Sequence, residues 1–131
     1  MWNNPVVQKQ VEDFYKNTEP VPENPYEFEH YVARILKRNG RDSRTSKGSG
    51  DQGADIIAEK GKIKLVVQCK KYKKSVGNKA VQEVHAAKTH FNADIGIVVN
   101  SSGKFTKSAK ELASSSGILL MHPNDLTNWS P

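Results

Sequence analysis

The chain carries one cysteine, Cys69, in 131 residues. That excludes an internal disulfide and fits a reducing compartment. It has no long apolar run and no charged segment followed by an apolar one, so neither a membrane span nor a signal peptide is expected, and cytoplasm is the expected location. Internal repeats and low-complexity tracts are also lacking, which excludes a solenoid and a long disordered tail. The length suits one hydrophobic core and is short for two.

Acidic residues are scarce over most of the chain. The net charge is +6, but residues 1 to 29 hold two lysines against six acids, while residues 30 to 131 hold eighteen Lys and Arg against eight. The body alone is therefore about +10, an electrostatic footprint suited to nucleic acid.

Start and stop signals divide the chain. Asn4-Pro5 is a helix cap followed by proline, and Val7, Val11 and Phe14 repeat at helical spacing. A short amphipathic helix ending near Lys16 is expected, followed by an extended linker through Pro20, Pro22 and Pro25. Asn24-Pro25 repeats the start signal, with Phe28, Val32, Ile35 and Leu36 as the apolar stripe and Gly40 as the stop. Residues 1–24 thus read as a helical arm with linker, and 25–131 as the main domain.

After a polar, Gly-rich stretch that holds a short strand near Asp42 to Thr45, GADIIAE and KIKLVVQCK read as two strands with a tight turn at Lys60-Gly61. KKYKKSVGN is a basic loop. Val81, Val84 and Ala87 mark a helix from about Asn78 to Phe91, ADIGIVVN a buried strand, Thr106 the cap of a further helix, and GILLM a last strand. Strands alternating with helices in this half imply an α/β fold on a mixed sheet, an antiparallel hairpin first and crossovers after it.

A two-residue turn at Lys60-Gly61 sets Glu59 opposite Lys62 and Asp55 opposite Val66. Alternation then places Asp55, Gln68 and Lys70 on one face and Ile56, Ala58, Leu65, Val67 and Cys69 on the other, the core face. Glu29 falls between the directions of Leu36 and Ala33, inside or at the edge of its helix's buried arc. A carboxylate there needs a partner. A hard divalent cation held by Glu29, Asp55 and the Gln68 carbonyl, with Lys70 alongside, satisfies all of them. The four histidines lack ligand-like spacing, Cys69 reads as a small buried hydrophobe, and Asp51 reads as a loop-shaping residue.

An acid on the first helix, an Asp after a Gly-rich loop and Gln-x-Lys at the end of the next strand resemble the PD-(D/E)XK nuclease superfamily. Within it, YEFEHYVARILKRNG, GSGDQGADIIAE, VVQCKKYK and ADIGIVVNSSGKFTKSAKELA resemble the Mrr-like restriction endonuclease catalytic domain, in order over residues 25 to 126. The resemblance implies a three-layer restriction-endonuclease-like core around a central mixed sheet, DNA as substrate, and phosphodiester hydrolysis with Mg2+, or Mn2+ as substitute. It implies Asp55 as central metal ligand, Gln68 where many relatives have Glu, Lys70 as motif lysine, Glu29 as helix acid, and the Cys69 backbone carbonyl in the metal shell. Ala54 stands where the superfamily's proline would be. Gln68 adds no negative charge, so metal affinity is expected to lean on Glu29.

Beside that site, Lys71, Lys73, Lys74 and Lys79, with Arg41, Arg44 and Lys47, are expected to neutralise DNA phosphates. A homodimer is expected because cutting both strands takes two sites, and the chain is read either as a stand-alone nuclease or as one that works with a separate recognition subunit. A Holliday-junction resolvase shares the same acid and Asp…(E/Q)xK arrangement, and a DNA-binding module with a vestigial nuclease site is the reading from another class.

Overall fold

The structure is a computed structural model that describes residues 4–10, 19–46 and 53–129. Residues 5–10 are helical, and the Asn4 side-chain oxygen accepts the N–H of Val6 at 2.9 Å. The arm helix therefore starts where its cap places it. Val11, Phe14, Lys16, Lys47 and Asp51 lie outside the described residues.

Helix α1 (Pro25–Arg38) begins at Asn24, whose side chain accepts the N–H groups of Tyr26 and Glu27. Just beyond its end, Gly40 turns the chain at φ 86° into strand β1 (Asp42–Thr45). β2 (Ile56–Lys60) and β3 (Ile63–Lys70) follow as a hairpin, then α2 (Asn78–His90), β4 (Ile95–Asn100), α3 (Lys107–Ser116), β5 (Ile118–Met121) and α4 (Pro123–Thr127). The strands form one sheet in the order β1-β2-β3-β4-β5. β1, β2 and β3 are antiparallel neighbours, and β3, β4 and β5 run parallel through the crossovers α2 and α3.

Both faces of the sheet are covered. Ile56, Ala58, Leu65, Val67, Ile97 and Val99 pack against Phe28, Val32 and Leu36 of α1 and against Leu126 of α4. Ile57, Val66, Val98 and Ile118 pack against Val81, Val84 and Ala87 of α2 and Ala109 of α3. This is the expected three-layer α/β/α arrangement. Fully buried aliphatic and aromatic side chains such as Phe28, Leu36 and Leu65 each contribute roughly 1.5–3 kcal/mol.

Two expectations need correction. The hairpin loop is Gly61-Lys62, with Gly61 at φ 61°, because Lys60 pairs with Ile63. Glu59 consequently faces Lys64 and Ile56 faces Val67, and the Asp55 N–H bonds the same Val67, so Asp55 does not lie opposite Val66. The shift is an even number of residues, so the side chains within β2 and β3 keep their faces, whereas Asp55 lies just before β2, where Ala54 packs on the α2 side and the Asp55 carboxyl meets Glu29 of α1. The face that carries Gln68 and Lys70 is, however, as apolar as the other: Ile57 and Val66 are buried beneath α2. Polar groups collect only at the strand ends, where the helices no longer cover the sheet. The sequence reading had no α4; its signal was the Pro after His122 and the Asp at 125, which close a capping box with His122.

Candidate active site

The end of β3 lies at the centre of the sheet, flanked by strands on both sides, so a polar side chain there needs a specific partner. Asp55 sits just before β2. Its N–H donates to the carbonyl of Val67 at 2.9 Å, and its carbonyl accepts the N–H of Ser46 at 2.8 Å. The ladder thus continues one step past β1 and β2 and fixes the backbone of Asp55. Gly53, at φ 73°, lies so close to α2 that a Cβ there would stand 2.4 Å from the Glu83 carbonyl oxygen. Only glycine lets the loop before Asp55 rest on that helix.

The Asp55 carboxylate accepts the backbone N–H of Cys69 through Oδ2 at 2.7 Å. It also shares a hydrogen bond with Glu29 from α1. Burial, the nearby Asp55 charge and that hydrogen bond push Glu29 up to about 7. Burial also raises Asp55, against the lowering effects of the Cys69 N–H, the Lys70 ammonium and Glu29. Glu29 therefore takes up a proton more readily than an ordinary carboxyl, because burial and a second carboxyl both disfavour its charge.

Gln68 is buried, 5% exposed. Its Nε2 donates to Glu83 Oε2 at 2.6 Å, whereas its Oε1 is buried with no hydrogen-bond partner among the described residues. Lys70 is half-buried, with Nζ 5.7 Å from the centroid of the Tyr72 ring. Beside it opens a cleft of about 320 Å³ lined by Lys70, Tyr72, Val76, Asn78, Lys79 and Glu83, among others. The Cys69 side chain packs against the α1 core, and burial raises its thiol well above the ordinary value, with Asp55 and Glu29 adding to the effect. It is a packing residue, as its position on the core face indicates.

Glu29, Asp55, Gln68 and Lys70 thus converge from α1, the β2 entry and the end of β3. Among the described residues, no three His, Cys, Asp or Glu are grouped so as to hold a metal by themselves. The donor set is two carboxylates and one amide oxygen. Such a set fits a hard divalent cation, which takes oxygen ligands and commonly one or two carboxylates with water. The unpartnered Gln68 Oε1 and the proximity of the Glu29 and Asp55 carboxyls are the two features a cation would resolve.

The expected phosphate-contacting residues differ in exposure. Lys73, Lys74 and Lys79 are exposed. The Lys71 side chain is largely covered, with Nζ 3.9 Å from Glu23, and Arg44, on the edge strand, lies 3.9 Å from Glu59. Arg41 is 2% exposed, its guanidinium 4.9 Å from the centroid of the Trp129 ring. It belongs to the packing of α1 on α4 and is not a surface residue. Charge alone marked it as basic surface; the turn at Gly40 carries it inward.

Two residues of the site had escaped the sequence reading. Glu83 reaches Gln68, whereas its neighbour Gln82 is exposed. An acid one turn after the first buried residues of α2, between Val81 and Val84, was the available signal. Asn100, fully buried at the end of β4, accepts the Tyr72 N–H at 3.3 Å and donates to the carbonyls of Lys74 and Lys104 at 3.1 and 2.8 Å. With the bridge between Val76 and Phe105, it pins the basic loop after Lys70. A polar residue closing an otherwise apolar strand was its mark.

Residues 23–130 match the family model of the Mrr catalytic domain, described as restriction endonuclease. The chain belongs to that family and is a restriction-endonuclease-like nuclease domain. It is 28% identical over 89 residues to an uncharacterized mitochondrial protein of Schizosaccharomyces pombe, covering 63% of this chain and 36% of that one. Among solved structures it is similar to the DNA modification-dependent restriction endonuclease AspBHI, with TM-score 0.62 and 21% identity over 95% of this chain and 34% of the other. It is also similar to the MspJI restriction endonuclease in complex with a 27-mer oligonucleotide, with TM-score 0.56 and 19% identity over 92% of this chain and 30% of the other. These likenesses establish the fold. The chain spans about a third of the length of each of these proteins. No helix among the described residues is long and apolar enough to cross a membrane.

Proposed function

We propose that the chain is a metal-dependent DNA endonuclease of Mrr-like type that hydrolyses phosphodiester bonds with Mg2+, for which Mn2+ can substitute. The observation that carries this reading is the pairing of the Glu29 and Asp55 carboxyls at the N–H of Cys69, the residue between Lys70 and Gln68; the Gln68 Oε1 is buried and unpartnered among the described residues.

In this reading Glu29, Asp55 and Gln68 Oε1 would hold the cation, with the Cys69 carbonyl as a further ligand. When bound, a divalent cation supplies a Lewis acid for the scissile phosphate and a water of lowered pKa. Asp55 is held in place by the Cys69 N–H, so its second oxygen is oriented before any ligand arrives. Glu29 gives up its proton as the site fills. The Lys70 ammonium would orient the attacking water or stabilise charge on the pentacovalent phosphorane. Lys73, Lys74 and Lys79 attract the backbone phosphates without reading sequence.

AspBHI acts on modified DNA by its name, and MspJI is seen with an oligonucleotide; both support DNA as the substrate class here. Incubation with plasmid, methylated plasmid and a synthetic four-way junction, each with Mg2+, Mn2+ or EDTA, tests the reading. Metal-dependent cleavage of plasmid supports it. Cleavage of the junction alone would favour a resolvase, and DNA binding without cleavage under every condition would leave a binding module. A chain with one active site cuts both strands of a duplex as a homodimer, and target selection would fall to a separate recognition subunit.

A further inference from the structure

The pairing of Gln68 with Glu83 has a chemical direction. An amide side chain can present either its oxygen or its NH2 group to a given neighbour. Glu83 Oε2 accepts only from the NH2 end, at 2.6 Å; with the amide reversed, Oε1 would press against a carboxylate oxygen. Glu83 therefore dictates that Oε1 turn away from α2. That oxygen is buried and has no partner among the described residues. The Glu83 charge is also felt at Asp55, where it raises the carboxyl. Gly53 brings the loop before Asp55 onto the Glu83 backbone, so one residue of α2 touches both arms of the site.

We infer that Glu83 is a positioning residue, a helix carboxylate that orients the Gln68 amide so that its carbonyl oxygen faces the cation. This rests on the metal-site reading above. It also accounts for the amide at position 68: the negative charge lacking at the end of β3 stands on α2, and a carboxylate at both positions would set two like charges within hydrogen-bond distance. Gln68 and Glu83 form a matched pair in which one amide and one acid are required, on either side.

Mn2+ binding to the full chain, followed by the loss of the free-ion electron paramagnetic resonance signal, tests this alongside thermal unfolding and plasmid nicking. Glu83→Ala is expected to weaken Mn2+ binding about tenfold or more, the scale usual for loss of an outer-shell partner. Glu83→Gln retains an acceptor for Nε2 and should lose clearly less. Gln68→Glu, facing an intact Glu83, should also weaken binding, and the exchange Gln68→Glu with Glu83→Gln should restore it. A Gln68→Glu variant that binds Mn2+ as well as or better than the wild type overturns the inference, as does a Glu83→Ala variant, folded by its melting curve, that binds like the wild type. The exchange keeps both side-chain volumes, so it reports even where the alanine variant unfolds. Equal Mn2+ binding by wild type and Asp55→Asn would overturn the metal-site reading itself, and this inference with it, and is distinguishable from a failure at Glu83 alone.

Discussion

Asp55 Oδ2 accepts the backbone N–H of Cys69 at 2.7 Å, so the carboxylate at the entry to one strand is held by the residue between Gln68 and Lys70 on the next. Its geometry is set by the sheet before any ligand binds. Asp55→Asn keeps an acceptor for that N–H and should melt close to the wild type, while cleavage in Mg2+ falls by on the order of 100-fold or more. Lys70→Ala should do the same, since it removes a charge and little core area. Nicking assays with melting curves check both, and wild-type rates in either would remove these residues from the chemistry.

Glu29 predicts how stability follows pH without metal. Its carboxyl is raised from 4.5 to about 7 in the folded state, with Asp55 raised as well. A raised carboxyl favours the fold while protonated, so this contribution is fully present below about pH 4.5 and is lost as pH rises through about 7. The melting temperature in EDTA should fall across that window, and Glu29→Gln should flatten the fall. Glu19, lowered by Arg38 and Arg34 against the effect of burial, acts in the opposite direction and only below about 4.5. Because Glu29 must release its proton to bind a cation, Mg2+ affinity should rise over the same window. Calorimetric titration at pH 5.5, 6.5 and 7.5 measures it.

The exposure of Lys73, Lys74 and Lys79, and the burial of Arg41, separate binding from folding. Replacing the three lysines with alanine should shrink the log-log salt slope of DNA binding by roughly 0.9 for each phosphate that a lysine no longer neutralises. Arg41→Ala should leave that slope unchanged and cost on the order of 1–2 kcal/mol of stability, because the guanidinium no longer packs on Trp129. A salt titration of binding and a urea melt read the two effects independently.

Gly53→Ala tests how the loop is seated. The added Cβ meets the Glu83 carbonyl oxygen at 2.4 Å, and φ 73° is strained for any other residue. The strain is about 1–3 kcal/mol, and the loop relieves it by lifting off α2 with Asp55. Mg2+ affinity should fall along with stability, which paired titration and melting would show.

The arm predicts an assembly. A helix of a few turns is not stable alone, and Glu19 ties the linker to α1 through Arg34 at 3.0 Å and Arg38 at 2.6 Å. Deleting residues 1–18 leaves that tie intact and removes the arm that starts at the Asn4 cap. If the helix packs on a second copy, the truncated chain is a monomer that nicks plasmid but no longer linearises it. A dimer of unchanged dissociation constant in sedimentation would exclude that role.

The sequence by itself determined most of the elements and the faces of their side chains. Caps at Asn24 and Thr106, the stop at Gly40 and the apolar runs of β3 and β4 are local signals, set by backbone sterics and side-chain periodicity, and they survive any rearrangement of neighbours. For the same reason Gln68 and Lys70 could be placed on one face even with the wrong hairpin turn: alternation depends on parity, which an even shift preserves. Glu29 was legible because an acid at the edge of an apolar stripe demands a partner. What only the tertiary structure decided was which groups meet across layers. Arg41 is buried on Trp129, which lies near the far end of the chain, and Glu83 meets Gln68 because the crossover after β3 lays α2 over the strand it has just left. No local pattern encodes such meetings, since they arise from how far each helix slides along the sheet before its apolar face is filled.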